Sequence, residues 1–122
     1  MANSIKQVQI VSRNPDETAR FYSQLFAWNI DANNPLGYRE IDTGSQDGAQ
    51  AGIWPAPPQA ASFVQFFVTV ENVETAVDQA QQLGGKLLMG PVTLPGGDRM
   101  AVLLDPLGMS FGIWRESRTP ER

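Results

Sequence analysis

The 122-residue chain contains no histidine and no cysteine. The first absence removes the commonest general base and the imidazole metal ligand. The second removes disulfides, thiolate nucleophiles and zinc–thiolate clusters. Ser-His-Asp and Cys-His catalytic arrangements are excluded together. Cations are scarce too, with nine Lys and Arg against thirteen Asp and Glu for a net charge of −4. None of the nine forms a run longer than two, so no nucleic-acid partner is expected, because neutralising phosphates requires grouped positive charge. Long apolar runs are missing: none approaches the ~20 residues needed to span a bilayer. The opening Met1, Ala2, Asn3 and Ser4 lack the charged-then-apolar plan of a signal peptide. A cytoplasmic protein with no membrane partner is the expectation.

What is present is an ordinary globular composition, 42% hydrophobic, in one domain's worth of chain that can bury a core. One pattern is written twice. Asn14, Pro15, Asp16, Glu17, Thr18 and Ala19 follow the alternating run 5–11, and Asn72, Val73, Glu74, Thr75 and Ala76 follow the run 63–70. A single deletion between the asparagine and the Glu-Thr-Ala triplet aligns the copies. In that register Gln7 falls on Gln65.

Local signals fill in the elements. Alternation of Val8 and Ile10 against Gln7 and Gln9 predicts a strand with two unlike faces. Asn14 suits an N-cap, Pro15 the first helical position, and Asp16 and Glu17 the positive helix end. Ala19, Tyr22, Leu25 and Phe26 recur at helical spacing, which predicts a helix lying on something apolar. A turn cluster at 33–37 precedes strands at 38–41 and 49–54. Pro55, Pro57 and Pro58 cannot continue a ladder and mark a linker. The second copy gives a strand at 63–70 and a helix at 73–83 stopped by Gly84 and Gly85. Strands follow at 86–89 and 99–104. A turn at Asp105, Pro106, Leu107 and Gly108 leads into a last strand at 109–114, and residues 115–122 are polar. The expected fold is α+β: two tandem βαβββ modules, about 1–54 and 62–116 with a linker at 55–61, forming a half-open, barrel-like sheet with the helices outside.

Several other chemistries find no support. Gly96 and Gly97 are followed by Asp98, which would repel phosphate, and by no helix, so there is no phosphate loop. Lys6 and Lys86 lie on opposite halves with no adjacent serine motif. Glu40 and Asp42 share a strand face, which fits either a buried general base or a solvated surface.

Asn14, Pro15 and Asp16, followed by Phe21, Tyr22, Leu25, Phe26 and Trp28, resemble the vicinal oxygen chelate superfamily, which includes glyoxalase I, extradiol dioxygenases and bleomycin-resistance proteins. The second half adds Leu83, Gly84 and Gly85, and closes on Asp105, Pro106, Leu107 and Gly108 before the final strand. The resemblance covers nearly the whole chain. It implies a metal held by His or Gln, Glu, His and Glu from four strands. Those positions here are Gln7, about Gly52, Gln65 and Gly112. Two amides and two glycines do not supply the charge or imidazole a divalent ion needs. No metal and no cofactor is expected, and no catalytic residue can be named.

Alternation then assigns the faces. Gln7 shares its side with Ile5, Gln9 and Val11; Gln65 with Phe63, Phe67 and Thr69; Gln50 with Gly52 and Trp54; Ser110 with Gly112 and Trp114. The candidate ligand-binding set is therefore Gln7, Gln9, Gln50, Gly52, Trp54, Gln65, Phe67, Ser110, Gly112 and Trp114. The two glycines are expected to leave space. Two less specific readings stand beside it: Trp54 and Trp114 as core or interface residues, and Gln7 hydrogen-bonded to Gln65 in a filled interior. The leading expectation is a metal-independent protein that binds a small apolar or aromatic molecule in the cleft between its modules, as a homodimer. The alternatives are a metal-dependent lyase, isomerase or dioxygenase whose ligands have moved to Glu40, Asp42 or Asp98, and a non-catalytic interaction module.

Overall fold

The computed structural model describes residues 3–32 and 37–117. Most of the expected turn at 33–37, and the tail from 118, lie outside the described residues. In chain order the elements are β1 (Ile5–Ser12), α1 (Pro15–Phe26), β2 (Asn29–Asp31), β3 (Arg39–Asp42), β4 (Gln50–Pro55), β5 (Phe63–Thr69), α2 (Val73–Gln82), β6 (Lys86–Thr93), β7 (Arg99–Leu104) and β8 (Ser110–Arg115). The βαβββ unit thus occurs twice, in the α+β class expected.

The chain divides into two compact units, residues 7–65 and residues 1–6 with 66–122. The first unit orders its strands β2-β3-β4-β1, with β1 and β4 parallel. In the second, β5, β8, β7 and β6 follow one another, with β5 and β8 parallel. Two elements differ from expectation. Asn29 and Asp31 are poor strand formers, yet β2 exists because it ladders onto β3, Asn29 facing Asp42 and Asp31 facing Glu40. Strand β6 continues past Met89 to Thr93; a register shift before Met89 takes up Leu88, and one after it falls at Gly90 and Pro91, as at bulges.

The repeated asparagines act alike. Asn14 Oδ1 accepts from Glu17 N at 3.2 Å, and Asn72 Oδ1 accepts from Thr75 N at 2.9 Å. Each satisfies a donor that the helix start leaves open. Helix α2 ends as its glycines predict: Gly84 takes φ +99°, Gly84 N donates to Gln81 O at 3.2 Å, and Gly85 N donates to Ala80 O at 2.8 Å. That bond pair is the glycine-terminated helix stop.

Packing beneath the two helices is unequal. In the second unit Val73 and Val77 of α2 are buried with Ala101, Leu103 and Ile113, flanked by Val70, Ala76, Ala80, Leu87 and Phe111. Helix α1 has no buried residue; Phe21, Leu25 and Phe26 are 58%, 58% and 52% exposed. The expected apolar seat under α1 is therefore not found. The repeat explains why: with Glu17-Thr18-Ala19 set on Glu74-Thr75-Ala76, the anchors Val73 and Val77 correspond to Asp16 and Arg20. The cap was duplicated and the anchors were not.

This inequality sets the cost of truncation. Leu103→Ala, at a fully buried site, is expected to cost about 2–5 kcal/mol. Leu25→Ala should cost less than about 1 kcal/mol. Urea denaturation of both variants measures the difference.

Candidate functional site

In the first unit the β1–β4 register sets Gln7 opposite Gln50, Gln9 opposite Gly52 and Val11 opposite Trp54. Gln7, Gln9 and Gln65 are buried, at 8%, 4% and 7% exposure. A buried amide is costly unless hydrogen-bonded. Gln65 Nε2 donates to Gln9 Oε1 at 3.3 Å, and among the described residues no fully buried side-chain nitrogen or oxygen lacks a partner. Gln9 and Gln65 thus form an amide pair. Gln50 is exposed.

The glycines do not leave space. A Cβ on Gly52 would stand 1.8 Å from Tyr38 Oη, and one on Gly112 would stand 2.1 Å from Phe67 Cε2. Aromatic rings fill both places. Tyr38 also leans on Trp54, with centroids 4.8 Å apart at 36°, and Phe67 meets Trp114 edge-on at 5.6 Å. Burial pushes the Tyr38 phenol up to about 12, with Glu40 adding to the shift. Phe67 is fully buried. A sequence signal for this arrangement was available: the tripeptide Gly-Ile-Trp occurs at 52–54 and again at 112–114. Tyr38, absent from the candidate set, carries no such mark.

Trp114 is braced on several sides within the second unit. Its Nε1 donates to Asp98 Oδ2 at 2.9 Å, and Lys6 Nζ lies 5.3 Å from its ring centroid while pairing with Glu116 at 3.1 Å. Those contacts favour the packing reading for this tryptophan. Ser110 is half-buried on the strand edge facing Leu104.

Within their own units, the carboxylates proposed as relocated ligands are exposed or engaged by other groups. Glu40 and Asp42 are exposed, and Asp42 Oδ1 accepts from Gly44 N at 2.9 Å. Asp98 is engaged by Trp114 and by Ser117 N, at 2.6 Å. Among the described residues no group of three or more Asp or Glu is placed to hold a metal ion.

A cavity of about 780 Å³ lies elsewhere in the first unit. It runs between α1, the end of β1 and the start of β5, and none of the ten candidate residues lines it. Among the described residues, no helix is long and apolar enough to cross a membrane.

Against known proteins, residues 4–113 match the family model of the Glyoxalase/Bleomycin resistance protein/Dioxygenase superfamily. The chain belongs to that superfamily. It is 27% identical over 116 residues to the anthracycline biosynthesis protein DnrV of Streptomyces peucetius, an alignment covering 81% of this chain and 42% of DnrV. The chain therefore spans less than half the length of that relative. A solved superfamily member from Vibrio splendidus has a TM-score of 0.65 at 11% identity, covering 94% of this chain and 100% of that one. Methylmalonyl-CoA epimerase from Mycobacterium tuberculosis gives 0.63 at 13%, covering 93% and 88%. These likenesses show the fold.

Superfamily membership raises the question of a metal, and the donor set answers it residue by residue. Gln7 and Gln65 are neutral amides, and Gly52 and Gly112 bear rings over their α-carbons. Neither the charge nor the room fits a divalent ion.

Two outcomes are expected. Gly112→Ala should destabilise by about 1–3 kcal/mol through overpacking, and its cost should fall by more than half in a Phe67→Leu background, as a double-mutant cycle in urea would show. The Tyr38 phenol should ionise only near pH 12. Its folded pKa lies above the unfolded value, so the stability it contributes is complete below pH 10 and lost between pH 10 and 12. Ultraviolet titration of wild type against Tyr38→Phe isolates that step.

Proposed function

We propose that this superfamily member binds small, mostly apolar or aromatic molecules without a metal. The observation that carries the reading is the replacement of anionic and imidazole donors by amides and rings. In the first unit, Gln7, Gln9, Gln50 and Gln65 offer polar anchors beside Gly52, Trp54 and Tyr38; in the second, Phe67, Ser110, Gly112 and Trp114 are the corresponding set. Flat rings and a few oriented polar groups suit an aromatic ligand. The name of the Streptomyces peucetius relative supports a fused-ring class of ligand, since anthracyclines are planar polycyclic molecules. The protein acts in the cytoplasm as a homodimer in this reading, and the exposed Phe66, Leu88 and Met89 supply apolar surface for pairing.

A second reading has an observation of its own. Rings packed onto Gly52 and Gly112 fill the room a ligand would use, as in an interaction module with a closed interior.

Calorimetric titration separates the readings. A dihydroxyanthraquinone should bind at micromolar concentration in the presence of a chelator, while Ni²⁺, Zn²⁺, Fe²⁺ and Mn²⁺ give no saturable heat. One ion bound per chain at micromolar affinity would reject metal independence. Heat from neither quinone nor ions would favour the interaction module.

A further inference from the structure

The cavity of the first unit belongs to none of the residues assigned above, and its chemistry is specific enough to read. We propose that it is a second small-molecule site, on the helix side of β1, taking a neutral, flat, apolar ring system.

The helices of the two units are seated differently. Val73 and Val77 anchor α2 in the second unit, and their counterparts Asp16 and Arg20 are exposed. The cavity opens on a different face of α1, the one carrying Glu17, Thr18, Phe21 and Tyr22, where about 780 Å³ lies beside β1 and β5, within the range of about 300–1,000 Å³ typical of ligand pockets. The walls are aromatic and aliphatic: Phe21, Tyr22, Phe63 and Val64. Phe21 is 58% and Val64 64% exposed, so a ring placed between them would remove apolar surface from water on both of its faces. Phe21 stands edge-on to Tyr22 at 5.0 Å, which presents a preset aromatic corner.

The polar lining narrows the ligand class. Ser12 Oγ and Thr18 Oγ1 lie 2.6 Å apart, and Ser12 Oγ also accepts from Asn14 N at 3.0 Å. Ser12 is 4% exposed. One hydroxyl hydrogen joins the pair, so whichever group donates, the other keeps a hydrogen for a ligand hydroxyl or carbonyl. The charged lining residues are Arg13 and Glu17. Their charges are opposite and both are exposed, so the lining favours neither an anion nor a cation. A fused-ring phenol or ketone meets every one of these features.

The site stands independently of the proposed function, and 2-naphthol is the probe. In ¹H–¹⁵N spectra of the full chain, titration should move the amides of Thr18, Phe21, Ser62 and Val64. Phe21→Ser and Val64→Asn, both at exposed positions that leave the fold intact, should each weaken binding by roughly tenfold. Leu107→Ser, at an exposed turn position outside the lining, should leave it within about twofold of wild type. Shifts confined to residues around Tyr38 and Trp54, with the two groove variants binding normally, would overturn the groove while leaving the proposed function standing. Naphthol binding in the groove alongside failure of the anthraquinone titration would do the reverse. No saturable shift with either compound would reject both.

Discussion

A ring resting against a glycine backbone recurs in both units, and much else in the structure is arranged around it. Tyr38 occupies the side-chain space of Gly52, and Phe67 that of Gly112. No other residue could stand at either glycine without displacing a ring. The tryptophan two residues on extends each contact, Trp54 onto Tyr38 and Trp114 onto Phe67. The same arrangement decides the electrostatics: carboxylates are kept out of these positions, and the neighbouring amides are left to satisfy one another, as Gln65 does with Gln9. The contacts around both glycines are ring on ring and ring on backbone.

The duplication preserved some features and discarded others. Both helix starts keep an asparagine whose side chain accepts from the third residue on. Both parallel strand pairs keep the Gly-Ile-Trp tripeptide. What diverged is the seating of the helices. Valines bind α2 to its strands, whereas α1 meets water with phenylalanine and leucine. Stability is thus concentrated in the second unit's core, and the first unit retains open apolar surface. Local stability that is lower on one side is a common setting for ligand binding.

Much of the fold could be read from the residues because local signals agreed with one another. Asn14, Pro15, Asn72, Gly84 and the Asp105–Gly108 turn each announce a chain reversal or helix end by backbone chemistry that needs no tertiary context. Gly108 N donates to Asp105 O at 2.9 Å, as a turn of that composition requires. Strand β2 escaped notice because Asn29 and Asp31 have no strand preference and depend on their partners in β3. The site was legible only in part. Alternation placed Gln9, Gln65 and Phe67 on buried faces, but a glycine reads as empty space until its neighbours are known. Tyr38 comes from another strand, and no spacing rule links it to Gly52. The groove was hidden for the same reason: its walls come from α1, the end of β1 and the start of β5, which no spacing rule brings together.

The three indoles end up in unlike surroundings. Trp28 lies among Tyr22 and Phe26 at the end of α1. Trp54 shares its face with a phenol, and Trp114 is pinned between a carboxylate on its nitrogen and an ammonium near its ring. A carboxylate on the indole nitrogen and an ammonium over the ring shift its absorption and emission colour, so Trp114 carries an optical signature its two siblings lack. Replacing the tryptophans one at a time would turn the chain into its own set of spectroscopic labels, each reporting from a different part of the molecule.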